Sequence, residues 1–254
     1  MYFRRPTPYL ARFADLPQQA RDFAAAEARY GFGGILHGLS SAAYANHPIS
    51  AIRADYKPAQ LHMAVQLGLP IPATLITNDP KTARKFAREH GSVIYKSFRG
   101  APRPANGDTA AIWTQSIKEE DLDESVVVTA HMFQQEVNKT ADARVTVVGR
   151  SVFASRITTP DGALDWRCGD WDALAYEPIA VPDTVERALH SYLDGFGLAF
   201  GCFDFALGPG NPRDPAREAW TFIECNPNGQ WGWLPDSDAI ARAFADVLTE
   251  GWWR

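Results

Sequence analysis

Cysteine is scarce: Cys168, Cys202 and Cys225 lie far apart, with no CxxC spacing. That excludes a disulfide framework and a zinc site, and it fits a reducing, cytoplasmic setting. The six histidines are scattered, with no HxxxH or HxH, so imidazole does not build a metal site. Positive charge is not in excess. Against 30 acids stand 25 lysines and arginines, a net charge of −5, which speaks against a nucleic-acid partner. No apolar run approaches the ~18 residues of a membrane span, and Met1 opens no signal peptide, so no membrane partner is expected. GxxxxGK[ST], GxGxxG and GxSxG are all absent, which removes the Walker, Rossmann and nucleophile-elbow readings. What remains is a globular profile, 46% hydrophobic and 22% charged, long enough for one large domain or two small lobes.

The chain does contain acids where apolar residues are the rule. Asp204 stands in Cys202-Phe203-Asp204-Phe205, and Glu224 and Asn226 stand in Trp220-Thr221-Phe222-Ile223-Glu224-Cys225-Asn226. On alternating strands these three side chains converge on one face. Carboxylates are rarely buried without a partner. Oxygen-only ligation favours Mg²⁺ or Mn²⁺, and a hard cation held by one or two carboxylates commonly shares its shell with phosphates. A nucleotide-using enzyme is the first reading.

Turn and cap signals divide the chain. Helices are expected from Pro17 to Tyr30 with Gly31 as the stop, from Ile35 to Tyr44, from Pro58 to Leu67 before Gly68, and from Pro80 to His90 behind an Asp79 cap. Strands are expected at Ala73–Thr77 and Ser92–Lys96. A Gly/Pro/Asn loop over 99–108 follows, then strands at Ala110–Trp113, Val126–Thr129, His131–Val137, Arg144–Val148 and Val152–Thr158. The last two are joined at Gly149. A helix over Pro182–Phe196, strands at Gly201–Leu207 and Trp220–Asn226, and a helix over Pro235–Thr249 complete a mixed α+β pattern. Met1-Tyr2-Phe3-Arg4-Arg5-Pro6 enters a strand-like fragment at once, the pattern of a shortened N-terminal region.

Several positions carry two readings. Lys96 ends an apolar strand and is either a phosphate-facing ammonium or a lysine guarding a sheet edge. Lys57, before a helix, reads alone as a surface lysine. Gln135, Glu136 and Val137 end a strand whose free backbone groups can read an adenine edge; the plainer alternative is an amphipathic strand end. Arg144 and Arg167 suit bidentate phosphate or carboxylate contacts, or surface ion pairs. Asn46-His47-Pro48 reads as a turn. Trp231 and Trp233 are either cleft-lining or core residues.

In order, these pieces resemble the ATP-grasp superfamily: Lys57, Gly-Leu-Pro-Ile-Pro-Ala-Thr-Leu-Ile-Thr-Asn over 68–78, Val-Ile-Tyr-Lys over 93–96, Phe-Gln-Gln-Glu-Val over 133–137, Arg144-Val-Thr-Val-Val-Gly, Phe203-Asp204-Phe205 and Glu224-Cys-Asn-Pro-Asn-Gly-Gln-Trp. Within it, Arg4-Arg5-Pro6, Asn46-His47-Pro48, Asp165-Trp166-Arg167 and the Asn-Pro-Asn-Gly-Gln-Trp segment make the chain most similar to the ribosomal-peptide maturases of the graspetide, or microviridin, type. The resemblance implies an α+β ATP-grasp fold with nucleotide between a small α/β lobe and a larger antiparallel-sheet lobe. It divides the chain into a remnant N-terminal domain (1–56), a small lobe (57–130) and a C-terminal lobe with the metal site (131–254). Lys57 and Lys96 match the ATP-phosphate lysines. Gln135, Glu136 and Val137 match the adenine hinge, with Gln135 where the family often has Glu. Arg144 and Arg167 match arginines near the transferred phosphate, and Asp204, Glu224 and Asn226 match the Mg²⁺ ligands. Implied cofactors are ATP and two Mg²⁺ ions, with Mn²⁺ as a substitute.

The implied reaction passes the γ-phosphoryl group of ATP to an Asp or Glu side chain of a ribosomal precursor peptide. A Ser/Thr hydroxyl or Lys amine then closes an ester or amide crosslink, under a lid over 99–108. No residue stands out as a general base. The precursor's leader and core are the implied partners, and a homodimer is left open. Two alternatives stay beside this reading: an amino-acid or small-peptide ligase of the glutathione-synthetase or glutamate-adding type, and a non-catalytic nucleotide- or peptide-binding module.

Overall fold

A computed structural model of the chain describes residues 1–4, 7–99, 112–160, 162–210 and 218–250. Most of the 99–108 loop expected as a lid lies outside the described residues, as do Arg5 and Pro6 and the first half of the strand expected over 110–113. Among the described residues, nine strands form two antiparallel sheets. The smaller has the order β1-β4-β2-β3, from Thr74–Thr77 (β1), Val93–Lys96 (β2), Gln115–Ile117 (β3) and His131–Gln135 (β4). The larger has the order β7-β6-β5-β8-β9, from Ala141–Val148 (β5), Ser151–Thr158 (β6), Ala175–Pro178 (β7), Phe200–Gly208 (β8) and Ala219–Asn226 (β9). Because β4 pairs with β1 and β2, the small sheet runs past the expected boundary at 130.

The helices are α1 (Gln18–His37), α2 (Pro48–Ala54), α3 (Lys57–Gln66), α4 (Pro80–His90), α5 (Asp183–Phe196) and α6 (Ser237–Glu250). Asp79 caps α4, accepting from the N–H groups of Lys81 and Thr82 at 3.1 Å each. Among the described residues, no helix is long and apolar enough to cross a membrane.

The large sheet is covered unequally, and that positions the site. Strand β8 is buried along its whole length and alternates sides. Phe203, Phe205 and Leu207 join the main core, where α3 and α5 contribute Leu61, Leu189, Tyr192 and Leu193. On the other side, Phe200 and Cys202 pack under Ile240, Phe244 and Val247 of α6. Asp204 and Ala206, next along that second side, line a cavity. One period-2 strand thus supplies core, cover and site. A bulge adds to this. Asp204 pairs with Glu224 but Phe205 pairs with Phe222, leaving Ile223 as an extra residue. Ile223 and Glu224, consecutive in sequence, therefore both line the cavity.

Two buried amides tie distant segments to this sheet. Asn46 donates to the carbonyls of Phe200 and Pro227 at 2.8 Å each, and accepts from the N–H groups of Ala199 at 2.9 Å and Phe200 at 3.0 Å. Gln60 of α3 donates to the Cys225 carbonyl at 2.8 Å and accepts from its N–H at 3.0 Å. At Cys225 the outer edge of β9 is satisfied by a side chain where another strand would otherwise be needed. Helix α3, counted by sequence with the small lobe, packs into the main core instead.

Some local expectations differ. Helix α1 runs through Gly31, Gly33 and Gly34, and no second helix covers 39–44. Gly33 lets the Tyr9 ring lie close to α1: a Cβ there would stand 3.2 Å from the Tyr9 hydroxyl. Residues Glu124–Val128 form a 3-10 helix rather than a strand, capped by Asp123 onto the N–H of Ser125. His47 caps α2 by accepting from the N–H of Ile49, with Pro48 at the first helical position. Trp231 stacks on Phe244, with ring centroids 5.3 Å apart, and Trp233 packs against Trp166. Both are half-buried and pack against core residues, and neither is among the residues lining the cavity.

Replacing Asn46 with Leu strands buried backbone groups of Phe200 and Pro227. The expected loss of stability is on the order of 3 kcal/mol, read as a lower urea midpoint at unchanged slope; an unchanged midpoint would show that the four contacts contribute little.

Candidate active site

Between the two sheets lies a cleft lined by residues of both. The small sheet contributes Ile94, Lys96, Gln134 and Gln135; the large sheet contributes Asp142, Asp204, Ala206, Ile223 and Glu224. The segment around Leu164, Asp165, Trp166 and Arg167 forms a third wall.

Strand register brings the two acids of the large sheet together. Asp204 and Glu224 are direct partners across β8 and β9, and Asn226 pairs with Cys202 one step along the same face. Like charges facing each other across a strand pair repel, so cations must intervene. The Arg144 guanidinium donates to both oxygens of Asp204, at 2.7 and 2.8 Å, and to the Gln230 carbonyl at 3.1 Å. Lys57, the first residue of α3, pairs with Glu224. Arg167 reaches the other Glu224 oxygen at 3.0 Å. Burial pushes the Glu224 carboxyl up, but Lys57, Lys96 and Arg167 outweigh it and hold the group well below the usual carboxylate range. Gly229 permits this arrangement: a Cβ there would lie 2.4 Å from the Cys202 Cβ and 3.2 Å from Arg144 Nη2.

Lys96, Gln135, Val137, Arg167, Asp204 and Glu224 thus line one cavity. The others are placed differently. Arg144 is buried behind Asp204 rather than on the cavity wall. Lys57 approaches Glu224 from α3. Glu136, out of phase with Gln135 and Val137, faces a separate surface depression beside Ser116, whose hydroxyl donates to it at 3.3 Å. Its N–H donates to the Ser92 carbonyl. The Asn226 side chain accepts from the N–H of Asn228 at 2.9 Å, closing the Asn-Pro-Asn turn.

Sequence reasoning missed Gln134, Lys139, Asp142, Leu164 and Asp165 as cavity residues. Asp165 holds Arg167 through bonds of 2.8 and 2.9 Å, and the alternation of β5 that exposed Arg144 could equally have flagged Asp142. Lys139 donates to Asp142 at 2.6 Å and to the Leu164 carbonyl at 2.9 Å. Burial raises the Asp142 carboxyl to about 6 despite that ammonium.

Among the described residues, no group of three or more His, Cys, Asp or Glu is placed to hold a metal ion. The oxygen set is two carboxylates with an amide in reserve. That suits a hard cation which takes the rest of its shell from water and phosphate, and the anionic Glu224 fits it. Lys96 fits an anion. It is 8% exposed, and no described side chain pairs with it within hydrogen-bond or ion-pair distance. Burial lowers its ammonium to about 8, with Lys57 and Arg167 lowering it further and Glu224 opposing. A buried cation facing an open cavity without a close counter-ion calls for an anionic ligand.

Between about pH 8 and the ordinary lysine value of 10.5, the unfolded chain holds a proton that the folded chain has lost, so Lys96 makes stability rise with pH across that window. Lys96→Met flattens the rise and stabilises the protein at pH 7 by on the order of 3 kcal/mol. Thermal melts from pH 7 to 10 check this, and a destabilised variant would make Lys96 a structural residue.

No protein-family model matches the chain, and no curated protein matches it. Solved structures do. The macrocyclase MdnC of Microcystis aeruginosa MRC, bound with precursor peptide MdnA, superposes with a TM-score of 0.84 at 28% identity, covering 98% of this chain and 78% of that one. A Chryseobacterium gregarium RiPP-associated ATP-grasp ligase, in complex with ADP and a leader and core peptide, gives 0.83 at 26% identity over 98% and 76%. The macrocyclase MdnB of Microcystis aeruginosa MRC gives 0.73 at 30% identity over 92% and 72%. With this fold, this identity and this coverage, the chain belongs to the ATP-grasp ligases that act as ribosomal-peptide macrocyclases.

Proposed function

We propose that the chain uses ATP and Mg²⁺ to activate Asp or Glu side chains of a ribosomal precursor peptide as acyl phosphates, and then closes ester or amide crosslinks between side chains. The observation that carries this is the meeting, in one cavity, of a buried lysine that has no close counter-ion among the described residues with two carboxylates, of which Glu224 is held anionic. Lys96 supplies the charge for a terminal phosphate, and Asp204 and Glu224 supply hard oxygens for a divalent ion. The relatives' complexes with ADP and with leader and core peptides point the same way.

The residues divide the work by chemistry. Ile94, Ile223 and Leu164 offer an apolar slot for a purine. Gln135 and Val137, at and just past the end of β4, line the cavity beside that slot, and with Glu136 they are the segment assigned in this reading to hold the adenine edge. Lys96 and Lys57 bind phosphate oxygens; Lys96 would gain a direct counter-ion, and Lys57 would share its charge between Glu224 and phosphate. Asp204 and Glu224 hold Mg²⁺, with Asn226 as a further oxygen once it leaves its turn. The bound ion offsets charge on the phosphate oxygens. Two ions, and Mn²⁺ in their place, are compatible with this oxygen set. Arg144 fixes the rotamer of Asp204 from behind. Arg167, on the cavity wall and anchored by Asp165, orients the substrate carboxylate or its phosphate by its planar fork.

Proximity then does most of the catalysis. The γ-phosphoryl group moves to a carboxylate already held in line, and a neighbouring hydroxyl or amine of the same peptide attacks the acyl carbon as phosphate leaves. In this reading residues 1–56, 57–130 and 131–254 act as units, except that β4 works with the small sheet and α3 packs on the larger lobe.

The test uses a panel of synthetic peptides rich in Thr, Ser, Lys, Asp and Glu. The expected product is an ATP-dependent loss of about 18 Da per ring by condensation, with ADP released. Glu224→Gln should remain folded by circular dichroism and lose peptide-dependent ADP release at least 100-fold. Retention of ring closure by that variant would sink the metal assignment, and turnover of free amino acids alone would move the chain to the small-peptide ligases.

A further inference from the structure

Each cavity carboxylate has a cationic partner, but the partners are not equivalent. Asp204 is gripped by Arg144, Asp165 by Arg167, and Glu224 by Lys57 and Arg167. A guanidinium never gives up its proton under these conditions, so each of those three acids keeps a permanent cation beside it. Asp142 is different. Among the described residues its only ion-pair partner is the Lys139 ammonium, at 2.6 Å. It stands on β5 two residues before Arg144, on the same face, and opposite Ala206, itself a cavity residue. Its side chain lines the cavity between Lys139, Leu164 and Asp165, and nothing in the phosphoryl-transfer half of the reaction uses it.

We infer that Asp142 is the proton acceptor for the ring-closing step, with Lys139 as the group that positions it. This rests on the ligase reading above. As the peptide hydroxyl or amine attacks the acyl phosphate, its O–H or N–H proton passes to the Asp142 carboxylate. The new C–O or C–N bond forms, the bond from carbon to the phosphate oxygen breaks, and inorganic phosphate leaves with that electron pair. Asp142 then returns the proton to water. No further reactant is needed. The Lys139 ammonium, fixed by its second bond to the Leu164 carbonyl, holds the acceptor oxygen in place and keeps Asp142 ionised between turnovers. The raised position of this carboxyl, about 6, suits a base that must be charged near neutrality yet able to take a proton.

The experiment compares the wild-type chain with Asp142→Asn and Asp142→Glu, using the peptide of the panel that the wild-type chain cyclises. Three readouts are taken: ADP affinity by calorimetry, peptide-dependent ADP release with hydroxylamine present to trap acyl phosphate as hydroxamate, and ring closure by mass. For Asp142→Asn the expected result is ADP affinity within about threefold of wild type, hydroxamate formation retained, and ring closure down at least 100-fold. Asp142→Glu, which keeps a carboxylate, should recover at least a tenth of ring closure. Unchanged ring closure in Asp142→Asn overturns the assignment. So does loss of ADP affinity in both variants, which makes Asp142 a nucleotide-binding or structural residue. Equal loss of hydroxamate and ring closure at normal ADP affinity moves Asp142 to the activation step and also overturns it. If the wild-type chain cyclises no peptide, the ligase reading fails and this assignment fails with it.

Discussion

Two carboxylates that face each other across neighbouring strands in a largely buried site set the terms for the rest of this structure. Asp204 and Glu224 are direct partners in the β8–β9 ladder, and an antiparallel pair puts such side chains about 5 Å apart. Left alone, one of them would take up a proton. The chain instead surrounds them with Arg144, Arg167 and Lys57, drawn from a neighbouring strand, a loop and a helix. Much of the tertiary arrangement can be read as the means of delivering those three cations. Gln230, just after the Asn-Pro-Asn-Gly turn, gives Arg144 a carbonyl to lean on, Asp165 fixes the fork of Arg167, and α3 begins at Lys57.

The same region shows how a site differs from a core. Strand β8 buries every residue, yet along one face it passes from Phe200 and Cys202 under α6 to Asp204 and Ala206 on a cavity. The bulge at Ile223 lets β9 present an apolar and an acidic side chain side by side. Lys96 is held in an environment that penalises its charge. Such features oppose stability locally and are sustained by the dense aromatic core of Tyr192, Phe203, Phe205 and Phe222 behind them.

Local rules read much of this from sequence. Asp79-Pro80 and Gly91 bracket α4, and Pro58 and Gly68 bracket α3, because caps and turns act within a few residues. The alternation around Asp204 and Glu224 survives into the register that joins them. Elsewhere, distant contacts decide. Gly31 does not end α1, since a glycine stops a helix only where the following chain turns back, and here it continues to His37. Val126–Thr129, β-branched and strand-like in composition, coils into a 3-10 helix because Asp123 caps it and Val126 packs beneath α4. Lys139 and Asp142 stayed hidden because the carbonyl that fixes Lys139 lies 25 residues away and the cavity wall around Asp142 comes from other segments; Asp165 stood in plain view beside Arg167, but composition does not mark it as that arginine's anchor. Arg144 was legible as a functional cation, but only the sheet shows that it faces a carboxylate and not the open cavity.

Gln60 fastens α3 to the outer edge of β9 through both backbone groups of Cys225. Lys57 and Glu224 therefore share one rigid frame, while Lys96 rides on the opposite sheet. Any change in the spacing of the two sheets alters the distance from Lys96 to the acidic pair and leaves the Lys57 contact as it is. The separation of the two lysines is then a built-in gauge of how far the jaws are apart, with one arm of the calliper fixed and the other free to travel.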